Sequence, residues 1–101
     1  MAVTIVTDSN WEDIKTSDKT VLLDFYAEWC VPCKRLGPVL EDISEEKQDI
    51  IVGKINVENE PNIAEEFGVM SVPTLIVLKD GAEESKAVGF RTKAQILDLL
   101  D

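Results

Sequence analysis

Cys30 and Cys33 stand three residues apart, and the chain contains no other cysteine. Thiols at this spacing can exchange electrons as a dithiol, supply half of a metal site, or form a structural disulfide. A structural zinc site typically needs four ligands, often a second cysteine pair or two histidines. This chain has no histidine, and a disulfide across so short a loop gives little entropic stabilisation. A metal site would need carboxylates as its other ligands, so we favour a redox dithiol and predict no metal ligands. The spacing alone is a weak signal, and it becomes strong where a strand leads into a helix.

The residues around the pair predict a strand that leads into a helix. Residues 21–27 form a nearly unbroken apolar run, which is typical of a strand covered on both faces. From Val31 on, apolar residues recur at helical spacing. Cys30 should therefore lie at or near the helix N-cap, where free N–H groups and the helix dipole favour a thiolate. We expect Cys30 to be the more reactive thiol, and Cys33, further along the helix, to be the more buried.

Asp24 is a carboxylate inside that apolar run. Carboxylates are rarely buried without compensation, and burial raises their pKa. Such a group could handle protons near neutral pH. Lys54, midway along the next predicted strand, is a candidate charge partner, and a simple structural pair between the two is the alternative. Because Asp24 comes six residues before Cys30, we favour a proton-handling role toward Cys33.

Composition limits the class of protein. With 101 residues and an apolar fraction of 45 %, we expect a single globular domain over residues 1–101. No apolar run approaches the roughly 20 residues of a membrane span, and residues 1–10 do not resemble a signal peptide. A net charge of −10 would repel a phosphate backbone, so we predict neither a nucleic-acid nor a membrane partner. We expect a cytoplasmic protein of a reducing compartment.

Strand and helix patterns alternate along the chain in the order β-α-β-α-β-α-β-β-α. Ser9-x-x-Glu12 and Thr92-x-x-Gln95 resemble capping boxes, which would open the first and last helices. Asp80-Gly81 predicts a hairpin between the last two strands. Helical crossovers indicate parallel pairing earlier in the chain, so the fold class is α/β with one mixed sheet between helices. The predicted strands cover residues 2–6, 21–27, 50–57, 74–79 and a segment ending near Val88.

These residues together resemble the thioredoxin family. Trp29-Cys30-Val31-Pro32-Cys33-Lys34 resembles its active-site motif, and Asp24-Phe25-Tyr26-Ala27, Val72-Pro73-Thr74 and Gly89 resemble its other hallmark positions. The resemblance covers essentially the whole chain. It implies the thioredoxin fold, a central mixed sheet of five strands flanked by four α-helices. Val31 is a departure, because glycine is usual there, and its bulk should affect the reduction potential and partner preference more than the chemistry.

The resemblance also implies an activity and a role for each site residue. The activity is that of a protein-disulfide reductase, in which Cys30 attacks and Cys33 resolves. Asp24 would assist proton transfer, with Lys54 as its neighbour. Pro73 would be a cis-proline beside the dithiol, and Val72 would pair through its backbone with a bound client. The implied contact surface consists of Trp29, Val31, Pro32, Val72, Pro73 and Gly89.

The source of electrons and the possible partners follow from this interpretation. No nucleotide or flavin motif is present, so we expect no cofactor, and thioredoxin reductase would supply electrons to a monomer acting on disulfide-containing clients. Two alternatives are a non-catalytic binding module of the same fold and an oxidase or isomerase. The presence of both cysteines and of Asp24 argues against the first, and the reduction potential would distinguish the second.

Overall fold

A computed structural model describes residues 3–101 and confirms the predicted order of elements. The strands are β1 Val3–Ile5, β2 Val21–Tyr26, β3 Ile51–Asn56, β4 Thr74–Lys79 and β5 Ala82–Val88. The helices are α1 Asp8–Lys15, α2 Val31–Glu46, α3 Pro61–Glu66 and α4 Lys93–Leu100. No helix within residues 3–101 is long and apolar enough to cross a membrane.

The five strands form one mixed sheet in the order β1-β3-β2-β4-β5, so β2 is the central strand. It pairs parallel with β3 and antiparallel with β4, and β1 pairs parallel with β3. The hairpin between β4 and β5 turns at Asp80 and Gly81, whose φ angles are 53° and 79°. Two successive positive φ angles favour an Asp-Gly pair, which explains why the sequence signal was correct.

Each face of the sheet packs against its own layer of helices. Alternate residues of β2 point to opposite faces: Leu23 and Phe25 contact the cluster that contains α1 and α3 residues, whereas Leu22 contacts the cluster that contains α2 and α4 residues. The same alternation turns Asp24 toward the layer of α2 and α4. The first five residues of β2 are buried, so the strand that leads to the cysteines is covered on both faces, as predicted.

The start of α1 differs from the sequence-based expectation. The N-cap is Thr7 and not Ser9: Thr7 Oγ1 accepts a hydrogen bond from the Ser9 N–H at 3.3 Å, and the Thr7 N–H donates to Asn10 Oδ1 at 2.9 Å. The prediction of Ser9-x-x-Glu12 as the box was wrong because Asn10 also donates to the Ile5 carbonyl at 2.9 Å, which ties the helix start to β1. The box at Thr92 and Gln95 is confirmed.

Most strand ends lie within one residue of their predicted positions. Strand β1 covers Val3–Ile5, and Ala2, where the first strand was predicted to start, lies outside the described residues. Strands β2 and β3 end one residue earlier than predicted. Helix α3 ends at Glu66 with Phe67 as its C-cap. These shifts leave the topology unchanged.

The corrected cap can be tested by two alanine substitutions. Thr7→Ala should lower the free energy of unfolding by about 1 kcal/mol, because it removes the acceptor for an otherwise free helix N–H. Ser9→Ala should change it by less than about 0.5 kcal/mol, because Ser9 contributes its backbone N–H, which alanine keeps. Urea unfolding of both variants measures the difference. A larger loss for Ser9→Ala would restore the original assignment.

Candidate active site

The cysteines lie at the junction between β2 and α2. Strand β2 ends at Tyr26, and Cys30 is the N-cap of α2, as predicted. The Cys30 sulfur accepts a hydrogen bond from the Cys33 backbone N–H at 3.2 Å, so it occupies the position of a capping oxygen. Pro32 lies in the first turn, where its missing N–H leaves no donor unpaired. This geometry favours negative charge on the Cys30 sulfur.

Cys30 and Cys33 form a disulfide with a Cα–Cα distance of 5.2 Å. Both residues are 4 % exposed, so the expectation that Cys33 is the more buried is wrong for this state. The bond holds both sulfurs in the same turn, packed with Ala27 and Val72. In the disulfide state, residue exposure therefore does not distinguish the two cysteines. Within residues 3–101, no three cysteine or carboxylate side chains come together as metal ligands.

Asp24 is fully buried, as the apolar run predicted. Neither of its carboxylate oxygens has a hydrogen-bond partner among residues 3–101. Burial raises the pKa of Asp24 from 3.8 to about 7, and the positive charge of Lys54 opposes this rise. A carboxyl group with this pKa exists in both protonation states near neutral pH, so it can accept and return a proton there.

Lys54 is the neighbour of Asp24 in the parallel register of β2 and β3. Its ammonium nitrogen lies 4.6 Å from the centre of the Tyr26 ring, and no hydrogen bond joins it to the Asp24 oxygens. The predicted charge partner is therefore present, but it acts on Asp24 through its charge alone. The charge of Lys54 offsets only part of the cost of burying an ionised carboxylate. The pKa of Asp24 therefore remains raised.

Cys33 and Lys54 line the same cavity, which has a volume of about 110 Å³. Because a water molecule needs roughly 10–15 Å³ of such space, the cavity can admit water between polar groups. Burial raises the pKa of Tyr26, and the charge of Glu28 raises it further, so the Tyr26 hydroxyl stays protonated at neutral pH. We call this the Cys33 cavity, and its lining residues are Tyr26, Ala27, Glu28, Cys33, Lys34 and Lys54.

The predicted contact residues either adjoin the cysteines in the sequence or belong to the Val72-Pro73 segment and the Gly89 bonded to it. The Val72-Pro73 peptide bond is cis, as predicted, and Val72 packs against the cysteine cluster. The Pro73 carbonyl accepts a hydrogen bond from the Gly89 N–H at 2.8 Å, and the φ of 95° at Gly89 is a conformation that favours glycine. Trp29 and Val31 are 67 % and 65 % exposed, and Pro32 is also exposed. Large apolar side chains at the surface around a reactive group are typical of a binding face.

Sequence reasoning missed one side of this face. A groove of about 150 Å³ begins at Trp29, whose indole N–H donates to Glu58 at 3.2 Å. Met70, on the rim, is 96 % exposed. Glu58 follows the end of β3, which lies beside β2, so the rule that parallel strands end at one edge could have found it. We call this the apolar groove, and its lining residues are Trp29, Val57, Val69, Met70, Ser71 and Val72.

Comparison with known proteins shows that this chain is similar to members of the thioredoxin family. The thioredoxin family model matches residues 2–101. A thioredoxin of Staphylococcus haemolyticus is 47 % identical over 105 aligned residues, which cover 100 % of this chain and 97 % of the relative. A thioredoxin of Chlamydia caviae is 47 % identical over 81 residues, covering 80 % of this chain and 79 % of the relative. A solved structure of a mutant thioredoxin from Halobacterium salinarum superimposes with a TM-score of 0.90 at 35 % identity, covering 97 % of this chain and 87 % of that one.

Replacing Asp24 with asparagine should stabilise the oxidised protein at pH 8. The raised folded pKa of about 7 means that the cost of ionising Asp24 develops as pH rises above 3.8 and is complete above pH 7. Because this interval spans about three pH units, ionised Asp24 should lower the free energy of unfolding by roughly 4 kcal/mol. The asparagine amide is itself buried without a partner, so we expect a gain of roughly 1–3 kcal/mol. Urea unfolding at pH 8 and pH 4 measures it, and the gain should shrink toward pH 4.

Asp49→Asn is the matched control, because it removes one negative charge at an exposed position before the start of β3. It should change the free energy of unfolding by less than about 0.5 kcal/mol at both pH values. If Asp24→Asn is less stable than the wild type at pH 8, then the surroundings compensate the charge of Asp24, and its burial carries no such cost.

Proposed function

The chain belongs to the thioredoxin family, and we propose that it reduces client disulfides with Cys30 as the nucleophile and Cys33 as the resolving thiol. Proteins of this family are disulfide oxidoreductases, and with its Cys30–Cys33 disulfide this chain is a thiol–disulfide oxidoreductase. The observation that carries the assignment of the two roles is the N-cap position of Cys30, whose sulfur accepts a helix N–H. Cys33 lies within the first turn and lacks that position.

The first step is attack by the Cys30 thiolate on one sulfur of the client disulfide. A new bond forms between Cys30 and that sulfur, and the client's other sulfur leaves as a thiolate. The free N–H groups and the dipole at the start of α2 stabilise the attacking thiolate. The exposed side chains of Trp29 and Val31 flank the reaction site and would contact the client. Val72 would place its backbone against an extended client segment.

The second step releases the client. Cys33 must lose its proton before it can attack the Cys30 sulfur, and Asp24 is the group that we assign to accept it. Two observations support this role: the raised pKa of Asp24 and the cavity that links Cys33 to Lys54, the neighbour of Asp24. The thiolate of Cys33 then forms the bond to Cys30, the client's second sulfur leaves, and the protein returns to the disulfide form.

The electrons for a further cycle come from a partner. Thioredoxin family proteins are reduced by thioredoxin reductase and act on disulfide substrates, and we assign the same donor and substrate class to this chain. We further propose that residues 1–101 act as one domain and as a monomer in the cytoplasm. The chain has a single dithiol, and its contact face can bind the electron donor and the client one after the other. A monomer is sufficient for this cycle.

Limiting iodoacetamide at pH 7 tests which thiol is the nucleophile. In the reduced protein, Cys30 should be labelled before Cys33, because the helix start favours its thiolate. Peptide mapping by mass spectrometry reads the order of labelling. The same reaction in denaturant is the control, and the preference should disappear there because the helix is absent. Faster labelling of Cys33 in the folded protein would reverse the two roles.

An insulin-reduction assay tests the activity and its steps. Wild-type protein should reduce insulin faster in the presence of dithiothreitol than dithiothreitol alone does. Cys30→Ser should add nothing to that rate. Cys33→Ser, reduced beforehand and mixed with insulin after the dithiothreitol has been removed, should accumulate a mixed disulfide, because the resolving thiol is absent. Non-reducing electrophoresis detects that species. If the wild type does not reduce insulin, the proposed direction of the reaction is wrong.

A further inference from the structure

The two arginines of this chain, Arg35 and Arg91, contact the same residue, Phe90. The guanidinium carbon of Arg35 lies 4.6 Å from the centre of the Phe90 ring. Nη1 of Arg91 donates to the carbonyls of Val88 and Phe90 at 2.9 and 3.1 Å. An aromatic ring and two backbone carbonyls therefore position both guanidinium groups.

Both arginines lie at the edge of the contact face described above. Arg35 is one helical turn after Val31 on α2, so the two side chains are neighbours on the helix surface. Arg91 Nη1 lies 3.6 Å from the position of a Cβ at Gly89, and Gly89 is bonded to the Pro73 carbonyl. A client bound across Val31 and Gly89 would thus meet a guanidinium group at each of these positions. We call Arg35 and Arg91 the arginine rim.

The two sequence segments that carry the arginine rim differ in charge from the whole chain. The net charge is −10, yet residues 29–40 and 85–97 contain no aspartate or glutamate. The salt bridges found within residues 3–101 involve Lys15 and Lys93, and neither arginine takes part in them. The chain has twice as many acidic as basic residues, yet these salt bridges do not occupy either guanidinium group. Both groups therefore keep N–H donors for a carboxylate of a bound client.

We propose that the arginine rim binds a carboxylate of the client and so favours disulfides that are flanked by aspartate or glutamate. This inference rests on the function proposed above and adds the charge of the preferred substrate. The planar guanidinium fork matches a carboxylate with two hydrogen bonds. Because Phe90 and the carbonyls already order the two side chains, less conformational entropy is lost on binding. The rim also offsets, at the site of contact, the repulsion of acidic clients by the rest of the chain.

Two disulfide peptides of matched sequence test the proposal, one with glutamates and one with glutamines on both sides of a cysteine. The measured quantity is the ratio of the rate constants for reduction of the acidic and the neutral peptide by the reduced protein. In the Arg35→Gln/Arg91→Gln variant this ratio should fall roughly three- to tenfold, the range expected for partly solvated guanidinium–carboxylate pairs.

Lys19→Gln/Lys47→Gln is the matched control. It also removes two positive charges, but Lys19 precedes β2 and Lys47 is the C-cap of α2, so both are away from the dithiol. The control should keep the wild-type ratio. An unchanged ratio in the arginine variant, or an equal fall in the control, would overturn the inference. Failure of the wild type to reduce the neutral peptide would instead count against the proposed function, so the two can be told apart.

Discussion

The burial of β2 on both faces is the constraint on which the site depends. As the central strand of the sheet, β2 is covered by two layers of helices. Asp24 lies within this strand and is fully buried. The same strand ends where α2 begins, so its last residues deliver Cys30 to the helix N-cap. One buried strand therefore produces both a carboxyl group that binds its proton near pH 7 and a sulfur that accepts a helix N–H.

These two consequences have opposite effects on stability. The Cys30 cap supplies a partner for a helix N–H, whereas ionised Asp24 has no hydrogen-bond partner within residues 3–101. A bonded lysine would remove that cost, but it would also lower the pKa of Asp24 and make it a weak base. Lys54 instead places its ammonium group over the Tyr26 ring. The arrangement keeps Asp24 able to accept a proton and leaves the protein less stable than an apolar residue there would make it.

The local signals of the sequence predicted most of the fold and the centre of the site. The apolar run around Asp24 correctly indicated a strand buried on both faces, because burial leaves a direct mark on composition. The Asp80-Gly81 hairpin was predictable for a similar local reason. The cis bond at Pro73 and the contact surface came from family resemblance. Contacts between distant segments were not predicted: Trp29 and Glu58 are 29 residues apart, and the choice between Thr7 and Ser9 as N-cap depended on contact with β1.

The pH dependence of the resolving step tests most directly whether water exclusion makes Asp24 the proton acceptor for Cys33. Reduced protein is mixed with an aromatic disulfide reagent whose thiolate absorbs visible light: attack by Cys30 releases the first thiolate, and attack by Cys33 releases the second. The rate of the second release in the wild type should rise as pH passes through about 7, where Asp24 loses its proton. In Asp24→Asn that rise should be absent and the rate at pH 7 lower. Identical pH profiles for the two proteins would contradict this role of Asp24.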